Sequence, residues 1–194
     1  GPIPIVREEE KYTSFLYPFA KKVFDITLSL FLIGITFPLF LIISLIIKFD
    51  SKGPVFFCHK RVGKNGKLFR LYKFRSMQHG SEPYNTNPST IHDSRITRVG
   101  RFLRKTSLDE LPQLFNVLKG NMSLVGPRPE MEFIVKTYDE KHRERLTVKP
   151  GITGLWQLSG DREKAIHENM DYDLYYIKNQ SFFLDIAILI ETIL

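Results

Sequence analysis

From Ile26 to Ile47 the chain runs without a single charged residue. A run of this length suits a membrane helix, which needs about 20 apolar residues. Pro38 interrupts it. A proline removes one helical N–H, and its ring crowds the carbonyl four residues earlier, here that of Gly34. The pattern therefore predicts a break leaving arms of about 12 and 9 residues, roughly 18 and 14 Å long. Neither arm crosses a hydrocarbon core of about 30 Å. Lys21 and Lys22 precede the run and Lys48 and Lys52 follow it, and cations favour the cytoplasmic side at both ends. A re-entrant element that enters, breaks at Pro38 and returns satisfies both features, with Thr36 and Ser44 expected to serve freed backbone groups. A kinked spanning helix stays open, because such helices tolerate proline. A buried core helix fits less well with so long a charge-free run. No cleavage site follows, which argues against a signal peptide.

The remaining pattern alternates short apolar runs with turn signals. Residues 3–20 are mixed, with Phe15, Leu16, Tyr17 and Phe19 before the lysines, and read as an interfacial segment or a flexible leader. Residues 54–75 predict a β-hairpin turning at Gly63-Lys64-Asn65-Gly66. Residues 80–94 form a loop, either a lid or a passive connector. Met122–Val125 is a short strand, Lys149–Gly154 a turn-rich loop, and residues 163–178 a helix. Phe182–Leu194 is an apolar stretch, suited to a membrane surface or to the core.

Charge narrows the partners. The net charge is +7, which favours phosphate-bearing substrates, anionic lipid or nucleic acid. The hairpin carries seven of the cations (Lys60, Arg61, Lys64, Lys67, Arg70, Lys73 and Arg75) and no acid. One cysteine, Cys58, rules out an internal disulfide and fits a reducing compartment. No zinc-type Cys/His spacing, P-loop, dinucleotide fingerprint or serine-hydrolase elbow is present. Gly1-Pro2 reads as the scar of a cleaved tag.

The chemistry concentrates in Thr106-Ser107-Leu108-Asp109-Glu110-Leu111-Pro112. Ser107 with Glu110 three residues on is a capping-box pattern, so a helix start explains both acids structurally. The same placement also serves phosphate chemistry. A helix N-terminus beside cations attracts anions and is expected to keep a carboxylate ionised. Adjacent carboxylates can hold Mg²⁺, and an aspartate can itself attack phosphorus. Arg95, Arg98, Arg101 and Arg104 recur every third residue just before the pair, as a solvated stripe or a phosphate clamp. Arg128 stands between Pro127 and Pro129, a rigid origin suited to phosphate.

Four stretches together resemble the monotopic phosphoglycosyl transferases of bacterial glycoconjugate assembly. They are Lys73-Phe74-Arg75-Ser76-Met77, Arg104–Leu114, Met122–Pro129 and Lys149–Gly154, and with the apolar segment the resemblance covers residues 21–192. It implies an α/β (α+β-like) fold: a compact catalytic domain, a re-entrant membrane element and interfacial amphipathic helices. The implied division is a leader (1–20), a re-entrant helix broken at Pro38 (21–50) and a cytosolic catalytic domain (51–194). The implied reaction moves sugar-1-phosphate from a nucleotide diphosphate sugar, usually a UDP-sugar, to polyprenyl (undecaprenyl) phosphate and releases UMP. By the resemblance Asp109 is the nucleophile of a covalent phosphosugar intermediate, and Glu110 assists Mg²⁺ binding or proton handling. Asp109 and Glu110 are the implied metal ligands. Arg104, Pro127, Arg128 and Pro129, and more remotely Lys73 and Arg75, match substrate-binding positions.

The implied setting is the cytoplasmic face of the bacterial inner membrane, with membrane lipid as a partner and no nucleic acid. The motifs sit closest to the large-form branch, so the chain reads as a catalytic portion. Oligomeric state is open, a homodimer included. Cys58-His59 stands where Arg-Gln is usual, Asp161 where arginine is common and Gln180 where an aromatic is common. Two rival readings are a membrane-anchored basic binding module, which leaves the acid pair unexplained, and a non-catalytic scaffold, whose expected mark, loss of one acid, is absent.

Overall fold

The computed structural model describes residues 16–81, 93–160 and 169–193. Most of the leader, most of the 80–94 loop and the first part of the 163–178 helix lie outside them.

The apolar run forms α1 (Leu16–Asp50), which continues as one helix through Pro38. The predicted break is thus a proline inside a continuous element. Pro38 costs one donor, and the turns on either side hold. Thr36 Oγ1 donates to Leu32 O and Ser44 Oγ to Phe40 O, each at 2.6 Å. These bonds reinforce neighbouring turns and do not reach Gly34.

One face of α1 packs along the whole body. Phe24, Leu28, Leu32 and Ile33 meet a core of Leu71, Leu114, Val117, Leu124, Tyr176 and Ile188. Leu39, Phe40, Ile43 and Ile47 meet Phe74 and Leu103. Both ends are tied down. Asp185, 1% exposed, accepts from Lys21 Nζ at 2.7 Å, Tyr17 OH at 2.9 Å and Tyr176 OH at 2.6 Å. At the other end Arg75 donates to the carbonyls of Ser51 at 2.7 Å and Lys52 at 2.9 Å. The outer face is apolar and uncovered: Leu30, Phe31, Ile35, Phe37, Leu41, Ile42, Leu45 and Ile46 are each at least 44% exposed. Among the described residues, α1 is one helix long and apolar enough to cross a membrane.

The predicted hairpin forms from β1 (Phe56–Val62) and β2 (Leu68–Phe74), antiparallel, with Phe57 opposite Lys73 and His59 opposite Leu71. Its turn uses left-handed backbone at Asn65 (φ 56°) and Gly66 (φ 74°). Then follow α2 (Arg98–Lys105), a 3₁₀ turn (Leu108–Glu110), α3 (Gln113–Leu118) and β3 (Ser123–Val125). The rest is α4 (Glu132–Val135), α5 (Glu140–Arg143), a 3₁₀ turn (Glu144–Thr147), β4 (Gly151–Thr153), α6 (Leu155–Leu158), α7 (Asp171–Lys178) and α8 (Phe182–Ile193). Mixed helices and two small sheets make this an α/β body carrying a membrane element.

The 149–154 segment, expected as a loop, contains β4, which pairs in parallel with β3. The two chains approach so closely that a Cβ on Gly151 would lie 2.1 Å from Gly126 N. Glycine there permits a ladder that turn-rich composition disguises. The C-terminal stretch is helical, with Ile188 2% exposed in the core and Phe183 82% exposed at the surface.

Asn116 sets the site's frame. Fully buried, it accepts from Tyr72 N at 3.0 Å and donates to Arg70 O at 2.7 Å. A side chain thereby takes a strand's place along β2 and fixes α3 against it.

Candidate active site

Ser107 adopts left-handed backbone (φ 56°) and its side chain caps nothing. The chain then makes the 3₁₀ turn that carries both acids, and α3 begins only after Pro112. The capping-box expectation is therefore not met. The Glu110 carboxylate turns instead to cations: Lys73 Nζ donates to Oε1 at 2.6 Å and Arg128 Nη2 to the same oxygen at 3.0 Å. Asp109 is 6% exposed, and Lys73 Nζ stands 3.9 Å from its Oδ2. Among the described residues no side-chain hydrogen bond holds the Asp109 carboxylate.

The two neighbours are driven in opposite directions. Burial pushes the Asp109 carboxyl up; Lys73 opposes and the Glu110 charge adds to the rise. This reverses the expectation of a lowered value at a helix start. Burial would raise Glu110 too, but Arg128 and Lys73, by charge and by hydrogen bond, outweigh it and hold that carboxyl well below the usual range. One acid is locked and ionised; its neighbour is desolvated and unlocked. Divergent carboxylates of this kind mark acid, base and nucleophile roles in enzymes.

The predicted cations separate on inspection. Lys73 and Arg128 converge on Glu110. Pro127 and Pro129 are buried and limit the Arg128 backbone on either side. The four-arginine row divides. Arg95 precedes α2 and pairs with Asp93 at 2.7 Å, and Arg98 and Arg101 face solvent. Arg104 turns inward, donates to Ser76 Oγ at 2.9 Å and acts electrostatically on Asp109. Arg75 lies apart from this cluster, its guanidinium engaged with backbone at the end of α1. A polar cleft of about 750 Å³ between Asp50–Gly53 and Arg98–Arg101 does not include the acid pair.

The sequence marks His59 only as a departure from the usual Arg-Gln pair. Its neighbours on β1 alternate exposed Cys58 and Lys60 with half-buried Phe57, His59 and Arg61, and that period-2 signal points His59 inward. His59 Nε2 accepts from Arg61 Nε at 3.2 Å. Burial, then the charges of Arg61, Lys73 and Arg128, lower its pKa to about 3, so the ring is neutral at ordinary pH.

The donor set suits a hard cation in a limited way. Among the described residues no cluster of three or more acidic, His or Cys side chains occurs. Mg²⁺ characteristically takes only one or two carboxylates and completes its shell with substrate phosphate and water. Glu110 takes both cations on Oε1, and Glu110 and Asp109 are the carboxylates that would hold such an ion.

The family model for bacterial sugar transferase matches residues 16–194. The chain belongs to the bacterial sugar transferase family. It is 43% identical over 185 residues to the UDP-N-acetylgalactosamine-undecaprenyl-phosphate N-acetylgalactosaminephosphotransferase of Aeromonas hydrophila, covering 92% of this chain and 44% of that protein. It is likewise 43% identical over 189 residues to the undecaprenyl-phosphate galactose phosphotransferase of Salmonella typhimurium, covering 90% of this chain and 40% of that protein. Against the exopolysaccharide production protein ExoY of Rhizobium meliloti it is 40% identical, and 84% of that protein is covered. The chain thus spans less than half the length of the first two relatives and most of the third.

Proposed function

We propose that this chain transfers sugar-1-phosphate from a UDP-sugar to undecaprenyl phosphate at the cytoplasmic face of a bacterial inner membrane. The observation that carries the reading is the divergence of two adjacent carboxylates, Asp109 unlocked and Glu110 held by Lys73 and Arg128.

Asp109 attacks the phosphorus that bears the sugar. The bond to the bridging oxygen breaks, and UMP leaves with that electron pair. An acyl phosphate links Asp109 to the phosphosugar. The acceptor's phosphate oxygen then attacks the same phosphorus and frees the Asp109 carboxylate. Desolvation favours this use of a carboxylate, because it weakens the hydration that blunts an anionic nucleophile. Lys73, Arg104 and Arg128 surround the reacting phosphate and neutralise charge that develops on it. Mg²⁺ held by Glu110, with Asp109 beside it, would supply further charge neutralisation when bound.

The membrane element fits the acceptor. Both ends of α1 are anchored to one folded body, which supports keeping both flanks on one side of the bilayer. The uncovered apolar face then lies in lipid, and the acid pair stays near headgroup depth, where a polyprenyl phosphate presents its phosphate. The relatives' names differ in the sugar, so the direct experiment is a panel. UDP-galactose, UDP-glucose and UDP-N-acetylgalactosamine are offered with undecaprenyl phosphate and Mg²⁺ in nanodiscs, and UMP release is followed. Release that requires the lipid phosphate supports the reading; release from none of the donors contradicts it.

A further inference from the structure

Behind Arg128 lies a buried ion pair that the proposed chemistry does not touch. Arg145 is 4% exposed and Asp173, on α7, is 2% exposed. Arg145 Nε donates to Asp173 Oδ2 at 2.8 Å, and its Nη1 bonds Tyr138 OH. Nη2, itself 2.7 Å from the same Asp173 oxygen, donates to the backbone carbonyl of Arg128 at 2.9 Å. That carbonyl belongs to the residue whose guanidinium grips Glu110. Pro127 and Pro129 limit the backbone on either side, and Arg145 pins the point between them.

We infer that Arg145, oriented by Asp173 and Tyr138, is a positioning residue that sets the Arg128 guanidinium for phosphate and for Glu110. A buried charge pair is costly to desolvate and is poor evidence of stabilisation in itself. An interior arginine here does what an apolar pair could not: it offers three donors in a rigid fork to three acceptors. A lysine would keep the charge opposite Asp173 and lose the fork. The inference rests on the proposed role of Arg128.

The test is a double-mutant cycle read on affinity for UDP with Mg²⁺ by calorimetry, which does not depend on the sugar. It is made in the whole chain in nanodiscs. Arg128→Ala is expected to weaken UDP binding by roughly 10- to 100-fold, and Arg145→Lys to weaken it to a similar extent. In the Arg128→Ala background, Arg145→Lys is expected to add nothing, since it acts through the missing side chain. Fully additive losses would overturn the inference, as would unchanged binding in folded Arg145→Lys. Arg145→Met with Asp173→Leu restores an apolar interior, so it should melt near the parent temperature and still bind UDP weakly. Parent-like binding in that pair also overturns the inference. If Arg128→Ala binds UDP normally, the role of Arg128 falls and this inference with it.

Discussion

Lys73 Nζ lies 2.6 Å from Glu110 Oε1, and the same ammonium is 3.9 Å from Asp109 Oδ2. One strand cation therefore locks the second acid of the pair and screens the first. Lys73 is 17% and Glu110 18% exposed at the side chain, so solvent weakens the contact little. Lys73→Met is expected to cost about 1.5–3 kcal/mol of stability, the range for hydrogen bonds to charged groups. It should also lower turnover by roughly 10²- to 10³-fold, as removal of a charge-stabilising donor does. Denaturant unfolding and UMP release check the two separately.

The opposed carboxylates make opposite contributions to pH dependence. A carboxyl raised in the folded state binds its proton more tightly there. Asp109 therefore adds to stability at low pH, and that contribution is lost as pH rises through its folded value. Glu110 is depressed; its contribution is present above the unfolded value and is lost only as pH falls through its lower folded one. Asp109→Asn, a neutral isostere, should thus melt above the parent at pH 7.5, and the gap should close on acidification. In the parent, single-turnover loss of donor should rise with pH through a value above the ordinary carboxylate range. His59, with a pKa of about 3, should add no step between pH 6 and 8. Melting curves across pH, and rates over the same range, check all three.

Gly100 packs against the backbone that presents Ser76 to Arg104. A Cβ there would lie 1.9 Å from Ser76 O and 2.6 Å from its carbonyl carbon. Backbone cannot swing aside as a long side chain can, so Gly100→Ala should destabilise by about 1–3 kcal/mol. It should also disturb the Arg104–Ser76 bond. Reduced melting temperature together with a raised KM for donor is the expected pair of observations.

The anchoring of both α1 ends to one body predicts a single-sided topology. Cys58 is exposed and must first be replaced by serine. Lys22→Cys and Lys52→Cys should then react with an impermeant maleimide from the same side of sealed vesicles. Reaction from opposite sides would mean a spanning helix.

Much of this was legible in the residues. The hairpin declared itself by strand-like runs around its Gly63–Gly66 turn, and β3 by its apolar run. The membrane helix was plain, but Pro38 overstated the break, because a helix can lose one donor while its flanking turns persist. The capping box misled at Ser107 for another reason. Lys73, distant in sequence, competes for the same carboxylate, and local pattern carries no record of a partner on another strand. Arg75 and Lys73 are two residues apart on an extended chain and looked alike as cations. Period 2 puts them on one face, yet Arg75 lies past the end of β2 and turns to the carbonyls of Ser51 and Lys52 just after α1. β4 was hidden by its glycine, and Arg145, Asp173 and Asn116 act through tertiary contacts that spacing does not reveal.

The central claim is that Asp109 carries the phosphosugar covalently. The parent chain in nanodiscs is incubated with its UDP-sugar and Mg²⁺ without acceptor, quenched, and its intact mass taken. A fraction heavier by one phosphosugar is expected, discharged on adding undecaprenyl phosphate and absent in folded Asp109→Asn. Near-parent turnover or the same adduct in Asp109→Asn would contradict it.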